Sequence, residues 1–368
     1  MRTLVVGDPQ ASFAQLMAVL ARHDVLDARG LVRDDVELVV IGDYFDYDLD
    51  DPVAAGAEGL RILRWLASQP EPRVRLLFGN HDAARVIELA GVTDARWADA
   101  RILARSIAAT KRERGWEAAA ARERDEWIPR FPEISTYGIC ARDYASFSEE
   151  QQRLVVELLL AGRCHLGLAG VLVDGRDVLL THAGVTEREV ALLGASEPHA
   201  IARALDALHA VAVERVRGDW ERGRIAPLDL SPLEIAGAPG EEAAGLLVHR
   251  PAAREREGAD VAWEFDPARP RRFEPSELPR GLVQVAGHTG HAKCLHELAP
   301  AWTSPAAKAR AHGGIRTLRS EANGARYELG VLPPGGESDL ILVDGELRTV
   351  AASDYELLEL ACIARGAA

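Results

Sequence analysis

Short apolar runs alternate with amphipathic stretches along the N-terminal part of the chain. Residues 4–6, 38–41 and 74–78 are nearly continuous in apolar character, and each run ends in a glycine followed by Asp or Asn. Such runs are too short for helices and are typical of strands buried on both faces. Residues 13–23 and 54–68 lie between them and carry apolar residues at helical spacing. The pattern predicts a β-α-β-α-β order, and therefore an α/β fold.

The pattern changes in the middle of the chain. Residues 93–165 are rich in Arg, Glu and Ala, and we predict that they form a helical insertion. A second helix is predicted over residues 199–221. Pro and Gly are frequent after it, which indicates a lid or surface loop over residues 222–275.

Further strands are predicted in the C-terminal half. Asp-Gly and Asn-Gly pairs between apolar segments are strong signals for β-hairpins. We also expect a strand at residues 283–286 and a closing helix at residues 354–365. The predicted hairpins pair residues 170–173 with 178–181, 315–319 with 326–331, and 340–343 with 347–350.

Charge and composition narrow the function classes. The chain has 43 Lys and Arg against 57 Asp and Glu, a net charge of −14, which opposes non-specific binding to nucleic acid or anionic membranes. No apolar run approaches the roughly 20 residues of a membrane span, and the first strand begins without an apolar leader. The four cysteines form no C-x-x-C pair. We therefore expect a cytoplasmic protein without a membrane partner, whose anionic ligands need a local positive centre.

Residues with metal-binding atoms follow five predicted strands. Loops at strand ends lie beside one another, so these residues describe a cleft of oxygen and imidazole donors, which is the composition of a metal site. The residues, in chain order, are Asp8, Gln10, Asp43, Asp46, Asn80, His81, Asp82, His182, His288 and His291.

In order and strand context, these motifs resemble the calcineurin-like metallophosphoesterase superfamily, nearest to phosphoprotein phosphatases and bacterial diadenosine tetraphosphatases. Its signature runs GD-x-H, GD-x-x-D, GNH-[DE], a later His and a final GH, and the match extends over residues 4–291. The resemblance implies a four-layer αββα sandwich, built as one domain over residues 1–368 with the helical insertion inside it.

The resemblance also implies a role for each residue. Two divalent metal ions would share Asp43, with Asp8 and Gln10 holding the first ion. The second ion would be held by Asn80, His182 and His288. His81 would be the general acid, oriented by Asp46.

The chemistry explains why these residue types occur together. Two divalent cations about 3.5–4 Å apart polarise phosphoryl oxygens and lower the pKa of a bridging water, so that hydroxide is available near neutral pH. The leaving alkoxide needs a proton, which a histidine beside the metals supplies when a carboxylate fixes its tautomer. We expect manganese, with iron or zinc as alternatives, and the sequence has no nucleophile-elbow or P-loop motif.

Three departures from the family pattern affect this interpretation. Gln10 replaces the usual His, and its neutral amide oxygen would bind a hard ion such as Mn²⁺ more weakly than imidazole binds a transition metal. Tyr47 stands where phosphoprotein phosphatases have a phosphate-binding Arg. His291 follows His288 by three residues, whereas phosphodiesterases and nucleases place a second His two residues on. It is either a further ligand of the first metal or a loop histidine.

Two arginines are candidates for phosphate binding, because a guanidinium binds phosphate through two parallel hydrogen bonds. Arg250, in Leu-Leu-Val-His-Arg-Pro, resembles the Leu-Trp-x-Arg segment of phosphoprotein phosphatases and diadenosine tetraphosphatases. Arg85 lies one turn into the helix predicted after Gly-Asn-His-Asp.

Three function classes remain open from the sequence. The first is a phosphomonoesterase acting on a small phosphorylated substrate or a phosphoprotein. The second is a hydrolase of nucleotides or dinucleoside polyphosphates. The third is a non-catalytic scaffold, which the retained His81, Asn80, His182 and His288 disfavour.

Overall fold

The computed structural model describes residues 1–48, 50–254, 262–310 and 312–364, which form a mixed α/β fold. The helices are α1 (Phe13–Arg22), α2 (Pro52–Ser68), α3 (Asn80–Ala84), α4 (Asp94–Arg114), α5 (Trp116–Arg122), α6 (Ile128–Arg130), α7 (Glu149–Leu160), α8 (Glu187–Leu193), α9 (Pro198–Glu221), α10 (His291–Glu297) and α11 (Pro305–Ala309). The strands are β1 (Arg2–Val6), β2 (Val36–Val40), β3 (Val74–Leu77), β4 (Cys164–His165), β5 (Gly167–Leu172), β6 (Asp177–Thr181), β7 (Glu234–Ile235), β8 (Ala244–Gly245), β9 (Arg250–Pro251), β10 (Arg272–Phe273), β11 (Val283–Ala286), β12 (Arg316–Glu321), β13 (Gly324–Leu329), β14 (Ser338–Leu342) and β15 (Leu358–Ile363).

Eleven strands of the described residues join in the order β13-β12-β14-β11-β6-β5-β15-β1-β2-β3-β4. One face carries an apolar cluster formed by strand residues and residues directly beside strands, with no helix residue among its buried members. A face that is buried without helices has to be covered by strands, so the two halves of the sheet pack against each other. The fold is therefore an αββα sandwich, as the sequence predicts.

Alternation along the strands sends neighbouring residues to different layers. Val5 belongs to the inner cluster, whereas Leu4 and Val6 pack outward against the layer of α1, α2, α7 and α9. In the other half, Ile341 points inward and Leu340 packs outward towards α10 and α11. The continuous apolar character of these runs follows from burial on both faces.

The segments predicted as a helical insertion and a lid pack partly in an apolar cluster of their own and partly in the main core. Helices α4 and α5 pack around an apolar cluster of their own, which includes Trp97 and Trp127. Helix α7, from the same predicted range, instead packs in the main core against α2 and α9. In the range 222–275, Leu246 and Leu247 are buried in the main core, and residues 255–261 lie outside the described part of the chain.

Two C-terminal predictions are wrong. The range 354–365 was expected to be a helix, but its described part contains strand β15, which pairs antiparallel with both β1 and β5. Leu358 and Leu360 are buried while Glu359 is exposed, which is the period of a strand. Residues 347–350 were expected to be a hairpin strand, but Leu347–Thr349 form a 3₁₀ turn. The predicted hairpins β5–β6 and β12–β13 are confirmed.

Candidate metal centre

The carboxyl ends of two sets of parallel strands meet at one edge of the sandwich. Strands β1, β2 and β3 form one parallel set, and β6, β11 and β14 form the other. A cleft of about 830 Å³ opens at this edge. The predicted site residues that line it are Asp8, Gln10, Asp43, Asp46, Asn80, His81, Arg250 and His288.

His182 shows that the centre fits a metal ion. Its Nδ1 carries a hydrogen and donates it to the carbonyl oxygen of Ile41 at 2.8 Å. In the neutral ring, Nε2 therefore carries no hydrogen. Nε2 faces the Asn80 Oδ1 at 3.1 Å and the Asp43 Oδ2 at 3.4 Å. Burial opposes protonation of this ring, but the charge and hydrogen bond of Asp43, the charge of Asp8 and the hydrogen bond to Ile41 together outweigh burial and raise the His182 pKa to about 10. A ring nitrogen directed at oxygens that only accept needs a proton or a cation between them, which is the position of a metal ion.

His288 completes the closest group of ligands. Ligand atoms of Asp43, His182 and His288 all lie within 4.8 Å of one another, and all three residues are buried. The His288 Nε2 lies 3.0 Å from the carbonyl oxygen of Val248, so Nε2 carries the hydrogen and Nδ1 is left for a metal. Burial and nearby positive charge, led by Arg250, hold the His288 pKa well below its usual value. The ring therefore stays in the neutral form that ligates metals.

The glycines of the motifs are explained by close approach. A Cβ atom on Gly79 would lie 2.3 Å from the Oδ1 of Asp43, and a Cβ atom on Gly287 would lie 2.0 Å from the Oδ1 of Asp8. Any side chain at these positions would displace the carboxylate of a predicted ligand. Two of the predicted ligands also have a strained backbone, because Asp43 and His288 both have a φ of 59°.

Asp82 fixes the two loops that carry ligands. Its carboxylate accepts hydrogen bonds from the backbone nitrogens of Asp43 (2.9 Å), Tyr44 (3.0 Å) and Gly79 (3.0 Å). Burial and the neighbouring Asp43 charge raise its pKa to about 7. The last residue of Gly-Asn-His-Asp therefore joins the loop after β2 to the loop after β3.

His81 and Asp46 are paired as predicted. The His81 Nδ1 lies 2.9 Å from the Oδ2 of Asp46, and the other ring nitrogen lies 3.8 Å from the Oδ2 of Asp43. Burial opposes protonation of His81, but the charges of Asp43 and Asp46 outweigh it and raise the His81 pKa. Despite its own burial, Asp46 has a pKa far below its usual value because Arg85 and His81 face it. The histidine is thus held by an ionised carboxylate.

Two predicted residues point elsewhere. Arg85 was a candidate for phosphate binding, but its side chain is fully buried and pairs with Asp46 at 2.7 Å, so it does not reach a substrate. His291 was a candidate ligand, but both ring nitrogens have protein partners, the Tyr327 hydroxyl and the Ala307 carbonyl oxygen, each at 2.8 Å. Of the two alternatives for His291, the contacts therefore favour the one in which it is not a ligand, and Arg85 is directed at Asp46 instead of the cleft, because tertiary contacts decide where these side chains point.

Asp8 and Gln10, which are predicted to hold the first metal, are not part of the close group of Asp43, His182 and His288. Asp8 is buried and accepts hydrogen bonds from the backbone nitrogen of His288 at 3.0 and 3.1 Å. Burial and the charges of Asp344 and Asp43 raise the Asp8 pKa well above its usual value. The Gln10 amide nitrogen donates to the carbonyl oxygen of Phe45 at 2.7 Å, which leaves the amide oxygen as the atom that could ligate.

Several residues that line the cleft belong to none of the motifs, and three of them lie beside predicted site residues or at a strand end. Tyr144, from the range predicted as insertion, packs its ring edge-on against His81 with centroids 5.2 Å apart. Lys293 lies in the first turn of α10, and Asp344 follows β14. From the sequence, the Asp344-Gly345 pair predicts a hairpin turn, but the structure places Asp344 after β14, at a sixth strand end that faces the cleft.

Arg250 forms a positive centre beside the ligands. Its Nη2 lies 3.2 Å from the Nε2 of His288, and its buried Nε has no hydrogen-bond partner among the described residues. Burial and the nearby charges of Arg272 and Arg271 lower its pKa to about 10. A guanidinium in this position is ready to bind an anion.

Comparison with known proteins agrees with this geometry. A family model described as calcineurin-like phosphoesterase matches residues 1–199. No curated protein matches the sequence. In the described part of the chain, no helix is long and apolar enough to cross a membrane.

Several solved phosphatase structures match this chain at low sequence identity and low TM-score. The cold-active protein tyrosine phosphatase of a psychrophilic Shewanella species is 12% identical with a TM-score of 0.33, over 79% of this chain and 69% of that chain. A mutant of cold-active protein tyrosine phosphatase is 15% identical with a TM-score of 0.35, over the same shares of the two chains. The phosphatase domain of the Legionella effector WipB is 11% identical with a TM-score of 0.32, over 59% of this chain and 82% of that chain.

Proposed function

The chain belongs to the calcineurin-like phosphoesterase family and is a metal-dependent hydrolase of phosphoric esters, and we propose that it uses two metal ions to hydrolyse a phosphomonoester. The His81–Asp46 pair beside the cluster of Asp43, His182 and His288 is the observation that carries this proposal. A histidine oriented by a carboxylate, and adjacent to metal ligands rather than among them, suits a general acid.

The donor atoms suggest how two ions would be held. Asp43 would serve both, with Asp8 and Gln10 on one side and the Asn80, His182 and His288 group on the other. Bound divalent ions supply Lewis-acid activation of the phosphoryl group and of a water nucleophile. We expect Mn²⁺ at the oxygen-rich first position, and the nitrogen donors of the second position also suit iron or zinc.

The chain's own residues would bind the substrate and move the proton. Arg250 would hold the non-bridging phosphate oxygens next to His288, and its Nε has no hydrogen-bond partner among the described residues. His81 would donate the proton from Nε2 to the leaving oxygen, while Asp46 holds the ring and stabilises its charge. A monoester is favoured because His291 is turned away from the cleft, unlike the second His of the phosphodiesterase pattern.

One observation favours a nucleotide substrate as the second candidate. Trp263 lines the cleft with 60% of its surface exposed, and the guanidinium of Arg271 lies 6.0 Å from the centroid of its ring. An exposed indole can stack on a nucleobase. A nucleotide or dinucleoside polyphosphate would place its phosphates at the metals and its base at Trp263.

A substrate panel distinguishes these classes. In Mn²⁺ buffer, p-nitrophenyl phosphate or a phosphopeptide is expected to have a kcat/KM at least about tenfold above that of bis(p-nitrophenyl) phosphate and of dinucleoside polyphosphates, a difference of about 1.4 kcal/mol. Activity should be lost in chelator and restored by Mn²⁺. Faster turnover of dinucleoside polyphosphates would establish the alternative, and a metal-loaded protein inactive on every substrate would indicate a scaffold.

Arg250→Lys is expected to lower kcat/KM by about 10- to 100-fold through a higher KM, because Lys keeps the charge but loses the bidentate fork. Steady-state kinetics on p-nitrophenyl phosphate measures this change. Arg29→Ala is the control, because Arg29 is exposed and pairs with Asp27 on a distant turn. An unchanged KM in Arg250→Lys would show that Arg250 does not bind the substrate phosphate.

A further inference from the structure

Asp344 occupies the same level of the sheet as His288. Strands β11 and β14 are parallel, with Ala286 opposite Leu342. The pairing ends there, and His288 and Asp344, each two residues beyond it, both line the cleft. Asp344 lines this cleft together with Asp8 and Asp43.

Close backbone contact also brings Asp344 to the end of β1. A Cβ atom on Gly7 would lie 2.3 Å from the carbonyl oxygen of Val343 and 2.8 Å from the Cα of Asp344. Asp8 is the next residue after Gly7. The ends of β1, β11 and β14 are therefore packed together, and each end delivers one potential ligand to the cleft.

The first metal position is short of donors without Asp344. Gln10 offers one neutral oxygen, since its amide nitrogen is bonded to Phe45. His291 is committed to Tyr327 and Ala307 and cannot contribute. In Asp344, the Oδ1 accepts from the backbone nitrogen of Glu346 at 2.9 Å, which leaves Oδ2 for an ion.

We propose that Asp344 is a direct ligand of the first metal ion, together with Asp8, Gln10 and Asp43. This inference rests on the proposed two-metal function. A third carboxylate offsets the replacement of an imidazole by the neutral amide of Gln10 and makes the first position an all-oxygen site. Such a donor set prefers Mn²⁺ or Mg²⁺ over softer ions.

Metal content of the full chain tests the assignment independently of activity. We expect wild type to bind about two Mn²⁺ ions per chain by elemental analysis, and Asp344→Asn to bind about one under the same conditions. Removing a group that only supports a ligand costs about 10- to 100-fold in metal affinity. For a direct ligand we expect the first-site affinity to fall by more than about 100-fold in a Mn²⁺ titration followed by electron paramagnetic resonance; a smaller loss would overturn the proposal.

Glu346→Gln is the matched control, because Glu346 lies in the same turn, lines the same cleft and loses the same charge. It should keep both ions, and an equal loss in this variant would overturn ligation by Asp344. If Asp344→Asn fails to fold, a Mn²⁺-loaded crystal of wild type decides, with an Asp344 oxygen expected about 2.1 Å from the ion and a separation beyond contact overturning the proposal. A wild type that binds fewer than two ions at saturating Mn²⁺ would instead refute the two-metal function.

Discussion

Replacing His81 with Asn is expected to lower kcat by about 10²- to 10⁴-fold on an alkyl phosphate, while both metal ions stay bound. The imidazole is proposed to supply the proton that a poor leaving group requires, and Asn has no titratable proton to give. His81 is absent from the close cluster of Asp43, His182 and His288, so its loss should not release an ion from that cluster. Steady-state kinetics and elemental analysis on the same preparation measure both quantities.

A leaving-group series separates acid catalysis from other roles of His81. The loss should shrink for p-nitrophenyl phosphate, whose leaving group departs without a full proton transfer, and equal losses across the series would contradict the assignment. His165→Asn is a matched control. His165 also lies 2.9 Å from a carboxylate oxygen, that of Asp206, but it is outside the cleft, and kcat should stay unchanged.

The pairing of His81 with Asp46 was predictable, but the group that supports it was not. Ser146 donates its backbone nitrogen and its hydroxyl to the Oδ1 of Asp46, at 2.8 and 2.6 Å. Arg85 pairs with the other oxygen. Ser146 lies 100 residues from Asp46 and is in no motif. Contacts of this kind depend on how the segment before α7 folds back onto the site, which spacing along the chain does not encode.

Residues that directly follow a parallel strand could be placed from the sequence, because the strand end fixes their position at the sheet edge. A ligand directly after a parallel strand lands at one edge of the sheet whatever follows it, which is why Asp8, Asp43, Asn80, His182 and His288 came together as predicted. The same logic applies to Asp344. It was missed because an Asp-Gly pair between apolar segments also predicts a hairpin turn, and only the β14 pairing distinguishes the two.

The helix expected over residues 354–365 is wrong, and a ligand role for His291 is disfavoured, because tertiary contacts outweigh local sequence signals. Residues 354–365 are rich in Leu, Glu and Ala, which have high helix propensity, but β15 is paired on both sides, with β1 and with β5. Two ladders of backbone hydrogen bonds and the burial of Leu358 and Leu360 outweigh a propensity difference of a few tenths of a kcal/mol per residue. His291 likewise has a ligand's chemistry, but Tyr327 and Ala307 take both its nitrogens.

Gly287→Ala is expected to lower kcat/KM by more than about 100-fold without changing any ligand. The new Cβ would lie 2.0 Å from the Oδ1 of Asp8 and 2.8 Å from the Cγ2 of Ile41, so the carboxylate has to move. A displacement near 1 Å in a catalytic site lowers the rate by about 10²-fold. Here it would also lower the metal affinity of the first position. Metal content, kcat/KM and thermal unfolding should be measured together.

The control for Gly287→Ala is Gly218→Ala in α9, where the added Cβ would lie 3.5 Å from the nearest atom, the Nη1 of Arg222. That variant should keep full activity and gain up to about 1 kcal/mol in the free energy of unfolding, because Ala is the better helix former. Wild-type metal content and rate in Gly287→Ala would contradict the steric argument. They would mean that the position before His288 tolerates a methyl group, and that the Asp8 carboxylate keeps its place beside it.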